Sequence, residues 1–194
     1  MDRGLRRWAL TRRRGVVPAL WLFTDAVRLA DPLAAAASLP RGRAGVVFRH
    51  DGAPGRAALG GALARLCRAR RLMLVVAGDA RLAAALGAGV HLRDGRWPDA
   101  ARTRRGVMLT SSAHDAQAAR RAVRAGARLV FLSPVFATAS HPGAPALGPL
   151  RWAALARHAP GRAAALGGIT DRSVRRLPRA CRAVGAIGAL AGPR

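Results

Sequence analysis

The stretch LMLVVAGDARLAAALGAGVHLRD, residues 72–94, carries the signals of a strand, a helix and a second strand in direct succession. Its first run, Leu72–Gly78, is almost continuously apolar, which is typical of a strand buried on both faces of a parallel sheet. Asp79 then stands at the N-cap position of a helix, and Gly87 stands just past the end of that helix. A second apolar run, Gly89–Asp94, follows immediately. The stretch therefore predicts a strand–helix–strand unit with parallel strands.

The same alternation continues along almost the whole chain. Short apolar runs predict eight strands, at Ala19–Asp25, Ala44–His50, Leu72–Gly78, Gly89–Asp94, Val107–Ala113, Arg128–Phe136, Ala163–Ile169 and Gly185–Leu190. Stretches of helical length lie between most of them, at Pro32–Leu39, Gly55–Arg70, Asp79–Leu86, Asp115–Ala125, Leu150–His158 and Asp171–Arg179. Repeated right-handed βαβ units build a parallel sheet, and eight units suit a closed barrel better than an open sheet. The predicted fold is α/β, a (β/α)8 TIM barrel.

The two ends of the chain limit how complete this barrel is. Little chain remains after Leu190, so we expect a compact barrel that lacks its last helix. The length suits one domain, over residues 19–194, preceded by an Arg-rich segment over residues 1–18. Within that segment, Asp2–Arg13 is predicted to form a helix that covers the barrel floor. A missing last helix would leave apolar strand surface exposed, and a homo-oligomer is one way to cover it.

The formal charge of +25 first suggests a nucleic-acid-binding protein. Every basic residue is Arg, however, and the chain contains no Lys, Asn, Tyr or Glu, which is typical of GC-rich coding. The arginines are also spread over nearly every segment instead of forming one stripe. We therefore predict no specific nucleic-acid partner, although salt-sensitive binding to polyanions is expected from the charge.

The sequence contains no apolar run of the ~18 residues that a membrane-spanning helix needs. The apolar residues 16–23 follow a basic segment as they would in a signal peptide, but they lead into Thr24 and Asp25 without a small-residue cleavage site. We therefore predict a cytoplasmic protein with no membrane partner.

The last two predicted strands contain glycines near their carboxyl ends. The seventh run contains Gly167 and Gly168, and the eighth contains Ile187 and Gly188. Glycine lets backbone N–H groups approach an anion closely, and the loops after strands seven and eight recur as the phosphate site of TIM barrels. We therefore predict a phosphorylated small molecule as the ligand, while tight turns alone would also explain these glycines.

The loop after the sixth run is rich in hydroxyl groups and contains one imidazole, at Thr138, Ser140 and His141. These groups suit phosphate binding or proton transfer near neutral pH, although the loop also suits an ordinary rigid connection. His141 is the first candidate for acid–base chemistry, and His50 is the other histidine expected at the barrel mouth. The sequence has no histidine spacing of a metal site and no G-x-S-x-G, Walker or G-x-G-x-x-G motif, which excludes the corresponding enzyme classes.

Six short motifs occur in the order that one known family shows: Leu22–Asp25, Val46–Arg49, Gly89–Leu92, Ser112–His114, Ser133–Thr138 and Leu166–Ile169. On these motifs the chain resembles the thiamine-phosphate synthase / TenI-like family, over roughly Trp21–Leu190. The resemblance implies a transferase of thiamine biosynthesis that joins an aminopyrimidine diphosphate to a thiazole phosphate and releases pyrophosphate. It also implies Mg²⁺ as a cofactor that neutralises the leaving group.

The resemblance assigns roles to individual residues. Arg49 and Ser112 match positions that hold the diphosphate, and Thr138 and Ser140 match hydroxyl positions beside the thiazole phosphate. The backbone phosphate cradle matches Gly167, Gly168, Ile187 and Gly188. His141 stands where the family has a lysine, and with Arg49 it is a predicted catalytic residue. The Q-x-R-x-K pattern of the family keeps only Arg49 here.

The chain departs from the family at the positions that would hold the metal. The family's two metal carboxylates fall on Gly78 and Arg96, neither of which can bind Mg²⁺ through its side chain. The nearby Asp79 and Asp94 would become the metal ligands if the loops shifted by one residue. Alternatively, arginines would hold the diphosphate without a metal, namely Arg49, Arg93 and Arg96.

Two other functions remain open at this stage. One is a TenI-like isomerase (tautomerase) that moves a proton on a thiazole phosphate without a metal, with His141 or His50 as the acid–base group. The histidine of the TenI-like pattern is Pro134 in this chain. The other is a catalytically silent barrel that still binds a phosphorylated ligand.

Overall fold

The computed structural model describes residues 3–11, 15–98, 106–138, 143 and 145–191, and it shows a closed barrel of eight parallel strands. The strands are β1 (Leu20–Phe23), β2 (Ala44–Phe48), β3 (Met73–Ala77), β4 (Gly89–Leu92), β5 (Leu109–Ala113), β6 (Leu129–Leu132), β7 (Ala163–Leu166) and β8 (Ala183–Ala186). Each strand pairs with its sequence neighbours, and β8 closes the barrel against β1. The predicted (β/α)8 fold is therefore confirmed.

The helices lie between the strands and on the outside of the barrel. They are α1 (Arg3–Thr11), α2 (Pro32–Ala37), α3 (Arg56–Arg70), α4 (Ala80–Ala85), α5 (Ala116–Arg124) and α6 (Gly148–Ala156). Three of them begin at aspartate caps, whose carboxylates accept the backbone N–H three residues on: Asp31, the predicted cap Asp79, and Asp115. No helix in the described part of the chain has the length and apolar character that crossing a membrane requires.

The barrel interior is packed by large side chains from some strands against glycines on their neighbours. The Trp21 and Phe23 rings meet Phe131 edge-on, with centroid distances of 5.9 and 4.8 Å. A Cβ atom on Gly45 would lie 2.5 Å from the Trp21 ring, and one on Gly185 would lie 2.5 Å from the Phe23 ring. These two positions therefore have no room for a side chain, because the neighbouring ring already fills it.

The predicted helix Asp171–Arg179 is wrong, because only a 3-10 turn forms, at Ser173–Arg176. Leu177 is extended (φ −74°, ψ 138°) and precedes Pro178. A proline disfavours the helical conformation of the residue before it and has no N–H to donate. The chain therefore reaches β8 along the barrel surface without a full helix.

The eighth strand lies two residues earlier than its predicted start. It runs over Ala183–Ala186, and Gly188–Leu190 forms a 3-10 turn instead of strand. Closure against β1 sets this register by pairing Leu20 with Val184 and Leu22 with Ala186. As a result, Gly188 lies in the loop beyond the strand, on the same side as the loop after β7.

Helix α1 lies against the wall of the barrel, and it also reaches the floor, where Ala9 lines a pocket with Gly42 before β2 and Arg71 before β3. Its buried residues, Leu5 and Ala9, join the apolar layer between strands and helices, and the helix contacts β1 and the 3-10 turn Ser173–Arg176. No α-helix follows β8 within the described residues, which end at 191, so α1 covers wall that a last helix would have covered. The domain boundary at residue 18 and the homo-oligomer stay predictions.

Candidate functional site

The candidate site is the rim formed by the carboxyl ends of the strands. Because all eight strands are parallel, the residues that follow them come together at one end of the barrel. The predicted site residues that the structure brings to this rim are Arg49, Ser112, Thr138, Gly167, Gly168, Ile187 and Gly188. Ser140 and His141 lie outside the described residues.

Arg49 is held in a defined orientation directly after β2. Its Nε donates to the Thr24 carbonyl at 2.9 Å, and its Nη2 donates to the Asp25 carboxylate at 2.8 Å. The guanidinium carbon lies 5.9 Å from the centroid of the Phe23 ring, which fills the top of the barrel interior. Burial lowers the pKa of Arg49, while the Asp25 charge opposes that effect. The side chain stays a cation, because the ordinary pKa of arginine is very high.

Asp25 binds two arginines and keeps Arg49 in place. It accepts from Arg28 Nη2 at 2.7 Å as well as from Arg49, and it also receives the backbone N–H groups of Val27 and Arg28. The hydrogen bond from the Arg28 side chain is the largest cause that lowers the pKa of Asp25 to about 2. Sequence analysis identified Asp25 only as the end of a strand and of the motif Leu22–Asp25, because its partner Arg49, directly after β2, is distant in sequence.

A second group of ion pairs joins the loops after β2, β3 and β4. Arg56, the first residue of α3, donates to Asp79 at 3.0 Å, to the Ala77 carbonyl at 2.8 Å and to Asp51 at 3.5 Å. Arg93, after β4, donates to the other oxygen of Asp51. Sequence analysis missed both residues, since Arg56 falls on no family motif and Asp51 stands at the lysine position of the Q-x-R-x-K pattern, which this chain does not keep.

The residues predicted to bind Mg²⁺ do not fit a metal site. Asp79 uses one carboxylate oxygen to accept from Leu82 N at 2.8 Å and the other to bind Arg56. Asp94 keeps one buried oxygen without a partner in the described structure. In the described ranges no group of three or more His, Cys, Asp or Glu residues could hold a metal ion.

The family's first carboxylate position lies beside a guanidinium instead. Gly78 has a φ of +70°, and a Cβ atom there would lie 3.2 Å from Arg93 Nη2 and 3.4 Å from Asp51 Oδ1. The space that a side chain from position 78 would enter is therefore occupied by the Arg93–Asp51 pair. Arg96, at the family's second carboxylate position, is exposed on the loop after β4.

The two histidines on β4 and after β2 have no access to the open rim. His91 is 3% exposed, and its Nδ1 pairs with Thr110 Oγ1 at 2.8 Å. Burial is the main cause that lowers the pKa of His91 to about 3, and the charges of Arg49 and Arg93 add to it. His50 pairs with Thr24 Oγ1 at 2.9 Å and stacks on Phe48, on the outer side of β2. His50 is therefore poorly placed for acid–base chemistry inside the barrel mouth.

The glycines after β7 allow two loops to pack closely. Gly167 and Gly168 have φ values of +92° and +65°, and Cβ atoms there would lie 2.8 Å from Pro134 Cβ and 2.4 Å from the Ala137 carbonyl oxygen. Phe136 N–H also donates to the Gly167 carbonyl at 3.2 Å. The loop after β6 thus lies directly on the loop after β7, which places Thr138 near the predicted phosphate cradle.

Two backbone amides in this part of the rim are candidates for binding a ligand. Within the residues that the structure describes, the N–H groups of Gly168 and Gly188 donate to no protein acceptor. Gly188 is exposed, and a Cβ atom there would meet nothing within 4 Å. The loops after β7 and β8 are adjacent because their strands pair, so both amides lie on neighbouring loops at one end of the barrel. Such free amides are suited to binding an anion.

His114 is a rim residue that sequence analysis named only as part of the motif Ser112–His114. Its Nδ1 lies 2.9 Å from the Ser133 carbonyl oxygen. A carbonyl only accepts, so Nδ1 must carry the proton, which leaves Nε2 as an acceptor when the ring is neutral. The motif Ser112–His114 marks this histidine in the sequence. Its contact with Ser133, in the loop after β6, forms only when the barrel folds.

Comparisons with known proteins agree with this fold. A solved structure of thiamine phosphate pyrophosphorylase from Pyrococcus furiosus has a TM-score of 0.73 and 22% identity, covering 90% of this chain and 88% of that one. A HpcH/HpaI aldolase/citrate lyase family protein from Burkholderia cenocepacia has a TM-score of 0.62 and 15% identity, covering 96% and 94%. The native KDPGal structure has a TM-score of 0.56 and 14% identity, covering 91% and 85%.

The comparison with family models is more specific than these likenesses in fold. No curated protein matches the chain in sequence. The family model described as thiamine monophosphate synthase (TMP-TENI) matches residues 24–189, which span the barrel from the end of β1 to the turn after β8. The chain therefore belongs to the thiamine monophosphate synthase family.

Proposed function

We propose that this protein is a thiamine-phosphate synthase-like transferase, which joins an aminopyrimidine diphosphate to a thiazole phosphate and releases pyrophosphate. The observation that carries the proposal is Arg49. It occupies the family position for the diphosphate, and Thr24 and Asp25 hold its guanidinium at the rim. A guanidinium whose orientation is set before the ligand arrives binds a diphosphate at a lower entropic cost than a free side chain would.

The reaction needs cations at the leaving group. The thiazole nitrogen donates its lone pair to the methylene carbon of the pyrimidine, and the carbon–oxygen bond to the diphosphate breaks. Pyrophosphate leaves with that electron pair, so negative charge develops on its oxygens. Arg49, Arg56 and Arg93 lie on the side of the rim formed by the loops after β2 to β4, where they would stabilise that charge.

The thiazole phosphate would bind on the opposite side of the rim. The free amides of Gly168 and Gly188 supply donors there, and the resemblance adds the hydroxyl groups of Thr138 and Ser140. In this proposal the two phosphorylated substrates would bind on opposite sides of one opening, with their reacting atoms between them. The roles of Ser112, Ser140, Ile187 and His141 are predictions carried by the resemblance.

The direct test is an assay with both substrates, in which mass spectrometry identifies thiamine phosphate. We expect product from the purified protein and a loss of roughly 10–100-fold in kcat/KM for Arg49→Ala, because a charged hydrogen-bond donor to the diphosphate disappears. Arg128→Ala is the matched control, since Arg128 is exposed before β6 at the other end of the barrel. Binding of either substrate without any product would contradict the transferase and favour a silent barrel.

The proposal also includes the surroundings that the sequence predicts. We place the protein in the cytoplasm, with phosphorylated small molecules as its partners and no specific nucleic acid. Salt-sensitive polyanion binding from the charge of +25 should be removed by moderate salt, whereas binding at the rim should persist.

A further inference from the structure

We infer that the Arg93 guanidinium, together with Arg56, takes the place of the divalent metal ion in this protein, so that the diphosphate binds without a metal. The inference deepens the proposed function and rests on it for the identity of the diphosphate. The family implies Mg²⁺, but Gly78 and Arg96 stand at its two carboxylate positions, and both oxygens of the neighbouring Asp79 are already bound.

The position of Arg93 is the first observation. Its Nη2 would be 3.2 Å from a Cβ atom at position 78, where the family has a metal-binding carboxylate. With glycine there, nothing negative projects from position 78 and a cation comes from β4 instead. The Arg93 side chain therefore supplies positive charge beside position 78, where the metal-binding carboxylate is missing.

The second observation is that the Asp79 carboxylate has no oxygen left for a metal ion. Both oxygens of this carboxylate are bound, one by the N–H at the start of α4 and one by Arg56. The Arg56 side chain is only 16% exposed and also donates to the Ala77 and Arg49 carbonyls, so it cannot leave Asp79 easily. A metal ion would have to displace a largely buried guanidinium with several hydrogen bonds to reach Asp79.

The third observation is that Asp51 binds Arg93 weakly enough for a diphosphate to displace it. In the Arg93–Asp51 pair the side chains are 58% and 46% exposed, so the pair is weak and opens at small cost. A diphosphate carries more charge than one carboxylate and offers several oxygens to the planar guanidinium fork. It can therefore take Arg93 from Asp51, whereas the more buried pair of Arg56 with Asp79 stays in place.

Calorimetric titration with inorganic pyrophosphate tests the inference. We expect one site per chain in EDTA, with an affinity that Mg²⁺ does not improve. Arg93→Ala should weaken the affinity at least about tenfold, the effect of one charged hydrogen bond, while Arg128→Ala leaves it unchanged. Pyrophosphate binding that requires Mg²⁺, or an equal loss in both variants, would overturn the inference.

A second variant checks position 78 directly. Gly78→Asp combined with Arg93→Ala restores the family's carboxylate and removes the guanidinium, and aspartate tolerates positive φ better than most residues. We expect this double variant, once its thermal unfolding shows that it is folded, to bind pyrophosphate with Mg²⁺ and poorly in EDTA. If the folded double variant binds pyrophosphate with the same affinity in Mg²⁺ and in EDTA, the guanidinium has not taken the place of a metal ion.

The transfer assay separates this inference from the proposed function. If thiamine phosphate forms only with Mg²⁺, the transferase stands and the inference fails. If no product forms but pyrophosphate binds in EDTA through Arg93, the metal-free anion site stands and the transferase fails. Product formed equally in EDTA and in Mg²⁺ supports both.

Discussion

The two halves of the rim would bind phosphate in different ways. The arginine half, formed by the loops after β1 to β4, presents guanidinium groups held by carboxylates: Asp25, Arg49, Asp51, Arg56, Asp79 and Arg93. The glycine half, formed by the loops after β5 to β8, presents hydroxyl groups and the free backbone N–H groups of Gly168 and Gly188. The departures from the family pattern at the diphosphate and metal positions lie in the arginine half.

The two halves differ because one uses backbone N–H groups as hydrogen-bond donors and the other uses side-chain guanidinium groups. A backbone N–H is present whatever the side chain, so the glycine half needs only room and the right backbone conformation. Side-chain chemistry can be exchanged, and in the arginine half the Arg93 guanidinium lies beside Gly78, the position at which the resemblance predicts a metal ligand. Substitutions should therefore damage the glycine half through the backbone and the arginine half through charge.

The largest effect is expected from Gly168→Ala. The new Cβ atom would lie 2.4 Å from the Ala137 carbonyl oxygen at a φ of +65°, so overpacking adds to backbone strain. We expect the free energy of unfolding in urea to fall by about 2–4 kcal/mol. Gly87→Ala is the control, since its φ is +61° and nothing lies within 4 Å, and it should lose about 1 kcal/mol. Equal losses would show that loop packing contributes nothing.

The next largest effect is expected from Arg56→Ala in the arginine half. Its removal leaves Asp79 without its cation and the Ala77 carbonyl without a donor, so we expect a loss of about 2 kcal/mol in urea unfolding. Arg81, exposed on α4, provides the comparison, and Arg81→Ala should stay within about 0.5 kcal/mol of wild type. A neutral Arg56→Ala would mean that the ion pairs of this half do not stabilise the fold.

A pH-dependent effect is expected at His91, where β4 of one half meets β5 of the other. Burial holds the pKa of the folded histidine near 3, so the unfolded chain binds the proton first as the pH falls below about 6.5. Stability should therefore decrease by about 1–2 kcal/mol between pH 7 and pH 5. His91→Gln, which can still pair with Thr110, should flatten this dependence.

His50 shares this pH window, and Asp25 does not. The lowered pKa of His50 acts in the same direction as that of His91, which is why the comparison uses the His91→Gln variant and not the wild type alone. Asp25, with a pKa of about 2, loses its contribution only as the pH falls from about 4 towards 2. An unchanged slope between pH 7 and pH 5 in the variant would contradict the assignment to His91.

The smallest effect is expected from Gly188→Ala. The site is exposed with nothing within 4 Å, and the φ of Gly188 is not in the left-handed region. We expect unfolding to be unchanged or more costly by about 0.4–1 kcal/mol, because alanine restricts the unfolded chain. Titration with a thiazole phosphate should give wild-type affinity, since the N–H remains. A large loss of affinity would show that the ligand occupies the space where the alanine methyl group would lie, instead of depending on the Gly188 N–H.

The sequence predicted most of the fold but only part of the rim. The caps Asp31, Asp79 and Asp115 and the eight strands could be identified because capping and two-sided burial leave local patterns. The helix predicted after Asp171 failed because Pro178 outweighed the helical pattern around it. The position of α1 could not be predicted, since an amphipathic helix has no signal for which wall it covers.

What the sequence determined by itself was the number and order of the strands, and hence which residues would meet at the rim. Tertiary structure alone decided the partners there, such as Arg93 with Asp51 and Arg56 with Asp79. Local periodicity reports whether a residue is buried, and parallel strands then bring their carboxyl ends together. The choice of ion-pair partners depends on the distances between loops that are far apart in sequence. The barrel sets those distances only when it closes.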